Sequence, residues 1–214
     1  MTRLRRFKQV DVFTAEPLKG NALAVILDAE GLTDAEMFAM ARWTNLAETA
    51  FVLKPASPEA DYRVRIFTTD KELPFAGHPT LGTAYALLQS GLKPKNPGYL
   101  VQECGVGLVQ VKQLTDGGQA FSAPSAVLQT LETQHLELLA KALRGGKIQA
   151  DVMPVAVDMG IVWLVVRMES AQECLNITAD SAAVSPIQKQ LGINGIAGYG
   201  LHDKSVSADY EVRA

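Results

Sequence analysis

The chain has 214 residues, 48% of them hydrophobic and 20% charged, with a formal net charge of −3. This is the profile of a soluble globular protein of one large or two small domains. It lacks the basic footprint that nucleic acid demands, and no stretch approaches the ~20 apolar residues of a membrane-spanning helix.

The N-terminal basic cluster Arg3, Arg5, Arg6 and Lys8 precedes a segment broken by Asp11, Glu16 and Lys19. No apolar core of a signal peptide forms there, so the cluster reads as a solvated strand start. Cys104 and Cys174 are the only two cysteines, without CxxC spacing, and His78, His135 and His202 do not cluster with them. Neither a disulfide framework nor a structural metal is expected, and a reducing cytoplasmic compartment is the default.

In chain order, KQVDVFT alternates around Val10 and Val12 and predicts a strand. PLKGN is a turn, and ALAVIL a short buried strand. LTDAEMFAMARWTN predicts a helix, with Thr33 and Glu36 forming a capping box and Leu32, Met37, Met40 and Ala41 on one face. ETAFVL and DYRVRIF are the next strands. GHPTLGTAYALLQSG is the clearest helix: Pro79 suits its first turn, Gly91 its end, and its apolar circumference places it inside a core. YLVQECGVGLVQVKQ predicts two strands around a Gly-Val-Gly bend, and QAFSAP a short strand.

The second half predicts a helix over TLETQHLELLAKALRGG and paired strands over VMPVAVDMG and IVWLVVRM. DSAAVSPIQKQLG follows as a helix capped by Asp180, with Pro186 either shortening it or marking its start. GIAGYGL and ADYEVRA are strands.

A repeat organises these parts. A helix, NLAETAFVL and ADYRVR in the first half match a helix, NGIAGYGLH and ADYEVR in the second. Asn45 lies 15 positions before Ala60, and Asn194 lies 14 before Ala208. Shared order and spacing indicate duplication of a domain-sized unit rather than a solenoid array.

Gly77, His78, Pro79 and Thr80 fall at the N-terminus of the apolar helix. Free backbone N–H groups and the helix dipole make such a turn an anion site. A plain N-terminal turn with a satisfied histidine accounts for these residues equally well. Glu48, opening a strand among apolar residues, suits proton transfer at a pocket mouth and also reads as an ordinary surface glutamate. CGVGLVQ lacks the third glycine and the helix of a dinucleotide loop, and no phosphate-loop or Gly-x-Ser-x-Gly pattern occurs. Cys104 reads as a buried structural thiol.

The run VDVFT…PLKGNALAVIL…NLAETAFVL…YRVRIFTTDKELPFAGHPTLGTAYAL resembles the PhzF-like family of phenazine-biosynthesis proteins, which is related to diaminopimelate epimerase. The likeness continues through FSAP and DMGIVWLVV to the last residues. It implies an α+β fold of pseudo-two-fold duplicated halves, 1–114 and 115–214. Each half would be a curved, barrel-like sheet around a central helix, with the active site in the cleft between halves. It also implies a dimeric, cofactor-independent isomerase in which Glu48 moves a proton within a dihydro-hydroxyanthranilate-type substrate. The Gly77, His78, Pro79 and Thr80 turn would hold the anionic group of a small metabolite. Related epimerases carry a thiol where this chain has Ala76, so the resemblance favours a single-carboxylate shuttle.

One departure is large. Family members follow the second strand of the repeat with a D-P-A-T-G-S-A turn opening a second central helix, and ADYEVRA stops where that turn would begin. The second half is therefore expected to lack the counterpart of Ile66–Leu88 and to cover its exposed face with a second copy of the chain. The alternative is a catalytically inactive short relative that binds a small anion or a protein.

Overall fold

The computed structural model describes residues 3–123, 125–178, 180–206 and 208–214. The chain divides into two compact units between residues 123 and 124. The division falls after the QAF strand, which pairs with the first sheet, and so beyond residue 114.

The first unit is built on strands β1 (Phe7–Val12), β2 (Asn21–Ile26), β3 (Thr49–Leu53), β4 (Tyr62–Phe67), β5 (Glu72–Leu73), β6 (Tyr99–Cys104), β7 (Gly107–Gln113) and β8 (Gln119–Phe121). They form a single sheet in the order β1-β2-β3-β4-β6-β7-β8, with β5 hairpinned onto β4. Helix α1 (Asp34–Thr44) is the crossover between the parallel strands β2 and β3. Helix α2 (Gly77–Gln89) packs against β1, β2, β3, β7 and β8. Because α2 touches both edge strands, the sheet curls around it.

Local chemistry explains these elements. The Thr33 side chain accepts from Glu36 N while the Glu36 carboxylate accepts from Thr33 N at 2.8 Å, completing the capping box that opens α1. Met37 and Ala41 are buried, and Leu32 and Met40 pack beside them against Phe51 and Phe67. α2 ends where Gly91 adopts φ +89 and Leu92 N bonds Leu87 O at 3.0 Å, closing the last carbonyls as a glycine stop does. Within α2, Gly82 lets helix and sheet approach closely. A Cβ there would come within 2.6 Å of Leu23 Cδ2 and 2.8 Å of Val12 Cγ2. Leu23, Val25, Ala50, Ala84 and Leu100 are among the residues fully removed from solvent. Tyr85 is the break in the expected all-round burial of α2, at 50% exposure.

The second unit repeats the pattern with strands β9 (Val127–Thr130), β10 (Val155–Asp158), β11 (Val162–Arg167), β12 (Gly195–Leu201) and β13 (Tyr210–Arg213), in the order β13-β12-β11-β10-β9. β10–β11 is antiparallel, β11–β12 parallel and β12–β13 antiparallel, the same senses as β1–β2, β2–β3 and β3–β4. The sequence duplication is thus a duplication of topology. A 3₁₀ turn (Thr133–His135) leads into α3 (Leu136–Ala142), and α4 (Ala171–Leu175) and α5 (Ser181–Leu191) complete the unit.

Asp180 caps α5, and Pro186 sits inside the helix rather than starting or shortening it. Residues of α3, α4 and α5, among them Leu139, Cys174 and Ile187, form one core with Leu164, Val166 and Ile196. The alternate positions Val157, Trp163, Val165 and Tyr199 lie on the other face of the sheet and are half-buried. In the first unit the corresponding face carries α2. Among the described residues, no helix is long and apolar enough to cross a membrane.

Candidate active site

Three segments of the first unit converge at one end of its sheet. β2 and β3 run parallel with Ala24 opposite Thr49, so Asn21, the first residue of β2, and Glu48, immediately before β3, reach the same end. Asn45 makes this possible by ending α1 at φ 54, its N–H bonded to Ala41 O. Asparagine tolerates this left-handed conformation better than most residues. The first turn of α2 supplies the third segment.

There, His78 Nδ1 lies 2.8 Å from Glu48 Oε2 and His78 Nε2 lies 3.0 Å from the Asn21 carbonyl oxygen. The His78 and Glu48 side chains are only 9% and 18% exposed. The Phe13 ring stands 5.7 Å from the imidazole, tilted by 37°. Phe13 is itself exposed and holds φ 70, a conformation uncommon for a bulky residue and frequent where structure serves a site.

A buried polar chain fixes the helix turn. Tyr62 O–H donates to Gln102 Oε1 at 3.1 Å, Gln102 Nε2 donates to Thr80 Oγ1 at 3.0 Å, and Thr80 O–H donates to Ala76 O at 2.9 Å. The three bonds point the same way and polarise one another in a low-dielectric interior. Burial pushes the Tyr62 phenol well above its ordinary range, which keeps it a donor.

Thr80→Val would strand the Gln102 amide inside the core, so it is expected to cost about 1–3 kcal/mol. Urea unfolding of the variant reads this directly, and an unchanged midpoint would show that the chain contributes nothing.

The site residues singled out from the sequence, Glu48 and Gly77 to Thr80, each take a distinct position in the structure. Glu48 and His78 are directly bonded. Both His78 nitrogens are engaged by protein groups, and Thr80 commits its hydroxyl and its N–H to Ala76 O. Pro79 is buried and offers no N–H. α2 has no side-chain cap, so the N–H groups that open it belong to Gly77 and His78. Gly77 is needed for space: a Cβ there would lie 2.8 Å from the Phe121 ring.

Asn21, Phe13, Tyr62 and Gln102 were not singled out from the sequence. Asn21 acts through its backbone, which no side-chain pattern reveals, and the others owe their roles to strand register. Cys104 is half-exposed rather than buried, its Sγ directed at Gly107 O at 3.6 Å. It lies at the end of β6 beside a tight two-residue turn that cannot enclose it. A cleft of about 640 Å³ is lined by residues 9–17 together with Leu81, Gly82, Tyr85, Gly117 and Gln119. It meets the Glu48–His78 pair only through Phe13, so its volume says nothing about chemistry at the pair.

This fold, a duplicated β-β-β-β unit with a helix enclosed by the first sheet, is that of the PhzF proteins. A PhzF-family phenazine biosynthesis protein of Bacillus anthracis superimposes with a TM-score of 0.80 at 26% identity, over 97% of this chain and 70% of that one. Residues 10–214 match the family described as phenazine biosynthesis-like protein, and the chain belongs to that family. It is 39% identical over 201 residues to antisense-enhancing sequence 1 of Schizosaccharomyces pombe, covering 91% of this chain and 68% of that protein. It is 34% identical over 204 residues to trans-2,3-dihydro-3-hydroxyanthranilate isomerase of Pseudomonas aeruginosa, covering 94% of this chain and 70% of that enzyme.

Proposed function

We propose that this protein is an isomerase of the PhzF type that relocates a proton on a small carboxylate-bearing metabolite without a cofactor, with Glu48 as the group that takes and returns the proton. The observation that carries the reading is the short chain Glu48–His78–Asn21 at the open end of α2. The 34% identity to a trans-2,3-dihydro-3-hydroxyanthranilate isomerase supports it.

Moving a proton between carbons needs one group that accepts and then donates, while the charge left behind is stabilised. His78 holds Glu48 through Oε2, and in this reading Oε1 is the atom that meets the substrate proton. The Gly77 and His78 N–H groups, at the positive end of α2, face developing negative charge. With both imidazole nitrogens committed, the anion contact of the Gly77–Thr80 turn falls to the backbone.

The experiment is solvent exchange: a panel of small unsaturated and hydroxylated carboxylates is incubated with the protein in deuterated water and followed by NMR. Deuterium entering one carbon as a double bond moves supports the reading. Ligand-dependent thermal stabilisation with no exchange would instead establish a binding protein. A homodimer that covers the Trp163 face of the second sheet is part of the same proposal. Sedimentation equilibrium should return twice the chain mass, and a stable monomer would remove that part.

A further inference from the structure

We propose that the Asn21 carbonyl is a positioning group that fixes the tautomer of His78, so that Glu48 and His78 always share one proton between Oε2 and Nδ1. The argument is one of donors and acceptors. A backbone carbonyl has no proton to give, so the 3.0 Å bond between His78 Nε2 and Asn21 O requires a proton on Nε2. A neutral imidazole carries only one proton, which would leave Nδ1 as a bare lone pair. Nδ1 lies 2.8 Å from Glu48 Oε2, and a carboxylate is likewise acceptor-only. Two lone pairs do not make that contact. The bond therefore contains a proton, held either as a carboxylate against an imidazolium or as a carboxylic acid against a neutral ring. In both forms the pair is neutral overall, as suits side chains exposed by only 9% and 18%.

The local backbone is built to present this carbonyl. Asn21 lies opposite Val12 in the β1–β2 pairing. A Cβ on the preceding Gly20 would come within 2.1 Å of Val12 O, so only glycine lets the chain enter β2 at this distance.

The inference rests on the acid/base reading of Glu48 and adds a proton balance to it. In the ion-pair form, a carbon–hydrogen bond of the substrate breaks, its proton goes to the Glu48 carboxylate, and its electron pair enters the substrate's conjugated system. The Glu48 carboxylic acid so formed trades its hydrogen with solvent and then delivers a proton to a second carbon. The shared proton stays with His78 throughout, and no oxidant, reductant or second acid is required.

The test is NMR of protein labelled with ¹⁵N-histidine, without substrate and near neutral pH. Only three histidines are present, and His78→Asn identifies the signals of His78. Protonated Nε2 on His78 is expected, with a far-downfield proton resonance for the Glu48–His78 bond. Glu48→Gln should keep the Nε2–H tautomer, since an amide N–H can donate to Nδ1, and should lose the downfield resonance. A bare Nε2 in the wild type would overturn the inference, as would a downfield resonance that survives Glu48→Gln. These spectra need no turnover. Absence of isomerase activity would sink the acid/base reading and leave the tautomer standing, and a bare Nε2 would do the reverse.

Discussion

Glu48→Gln is expected to lower proton exchange at the substrate carbon by about 10²–10⁴-fold, the usual contribution of a positioned acid/base group. That corresponds to roughly 2.7–5.4 kcal/mol of transition-state stabilisation. The substitution is nearly isosteric, and the amide N–H can still reach His78 Nδ1, now 2.8 Å from Oε2. Fold and ligand affinity should therefore survive. The measurement pairs the deuterium exchange rate with thermal unfolding of the same sample. A large loss of exchange at unchanged melting temperature is the expected pattern. Exchange at the wild-type rate would remove Glu48 from the mechanism, and loss of both together would mean that Glu48 holds the structure.

The largest stability effect is expected at Phe67. Its side chain is fully buried in β4, edge-on to Phe38 at 4.8 Å and to Phe51 at 5.4 Å, with the Arg65 guanidinium 5.0 Å from the ring centre. Phe67→Ala removes the ring that joins α1 to β3 and β4, and is expected to cost about 3–5 kcal/mol from lost transfer energy plus a cavity. Against a typical domain stability of about 5–15 kcal/mol, that brings the first unit near unfolding. Phe67→Leu keeps most of the volume and should lose clearly less. Urea midpoints of the two variants separate cavity from ring geometry, and equal losses would mean that volume is not what the site requires. Phe67 also pairs with Thr49, the residue after Glu48. Loosening this pair is expected to reduce exchange even under conditions where the protein is still folded.

The surface network around Arg65 shows why Phe67 is chosen instead of a nearby charge. Arg65 bonds Glu72 at 2.6 Å and Asp34 at 2.7 Å, and the Glu72 carboxylate raises the guanidinium above its usual range. Asp34 and Glu72 are nonetheless 73% and 40% exposed, where solvent screens the attraction. Exposed ion pairs contribute about 0–1 kcal/mol, well below the ring cluster.

Much of this was legible in the residues. The capping box of Thr33 and Glu36, the glycine stop at Gly91 and the Asp180 cap are local events, governed by groups within a few positions of one another. They formed as read. The strands missed by the sequence reading, β5 and β9, are short and poor in alternation, and their existence depends on a partner strand rather than on their own composition. The short helix α4 was missed for a similar reason: its five residues gain order by packing Ala171 and Cys174 into a core assembled elsewhere.

The sequence by itself determined the duplication, the enclosed helix and the choice of Glu48 and His78 as residues to watch, because periodicity, caps and repeated phrases are written along the chain. It could not decide what those residues do to each other. Glu48 and His78 are 30 positions apart, and His78 and Asn21 are 57 apart. Only the parallel pairing of β2 with β3 and the seating of α2 inside the sheet bring them within hydrogen-bond range. Tertiary structure turned an expected anion-binding histidine into one held at both nitrogens by the protein. The physical reason is that a hydrogen bond depends on distance and direction in space, and here those are set by strand register and helix packing.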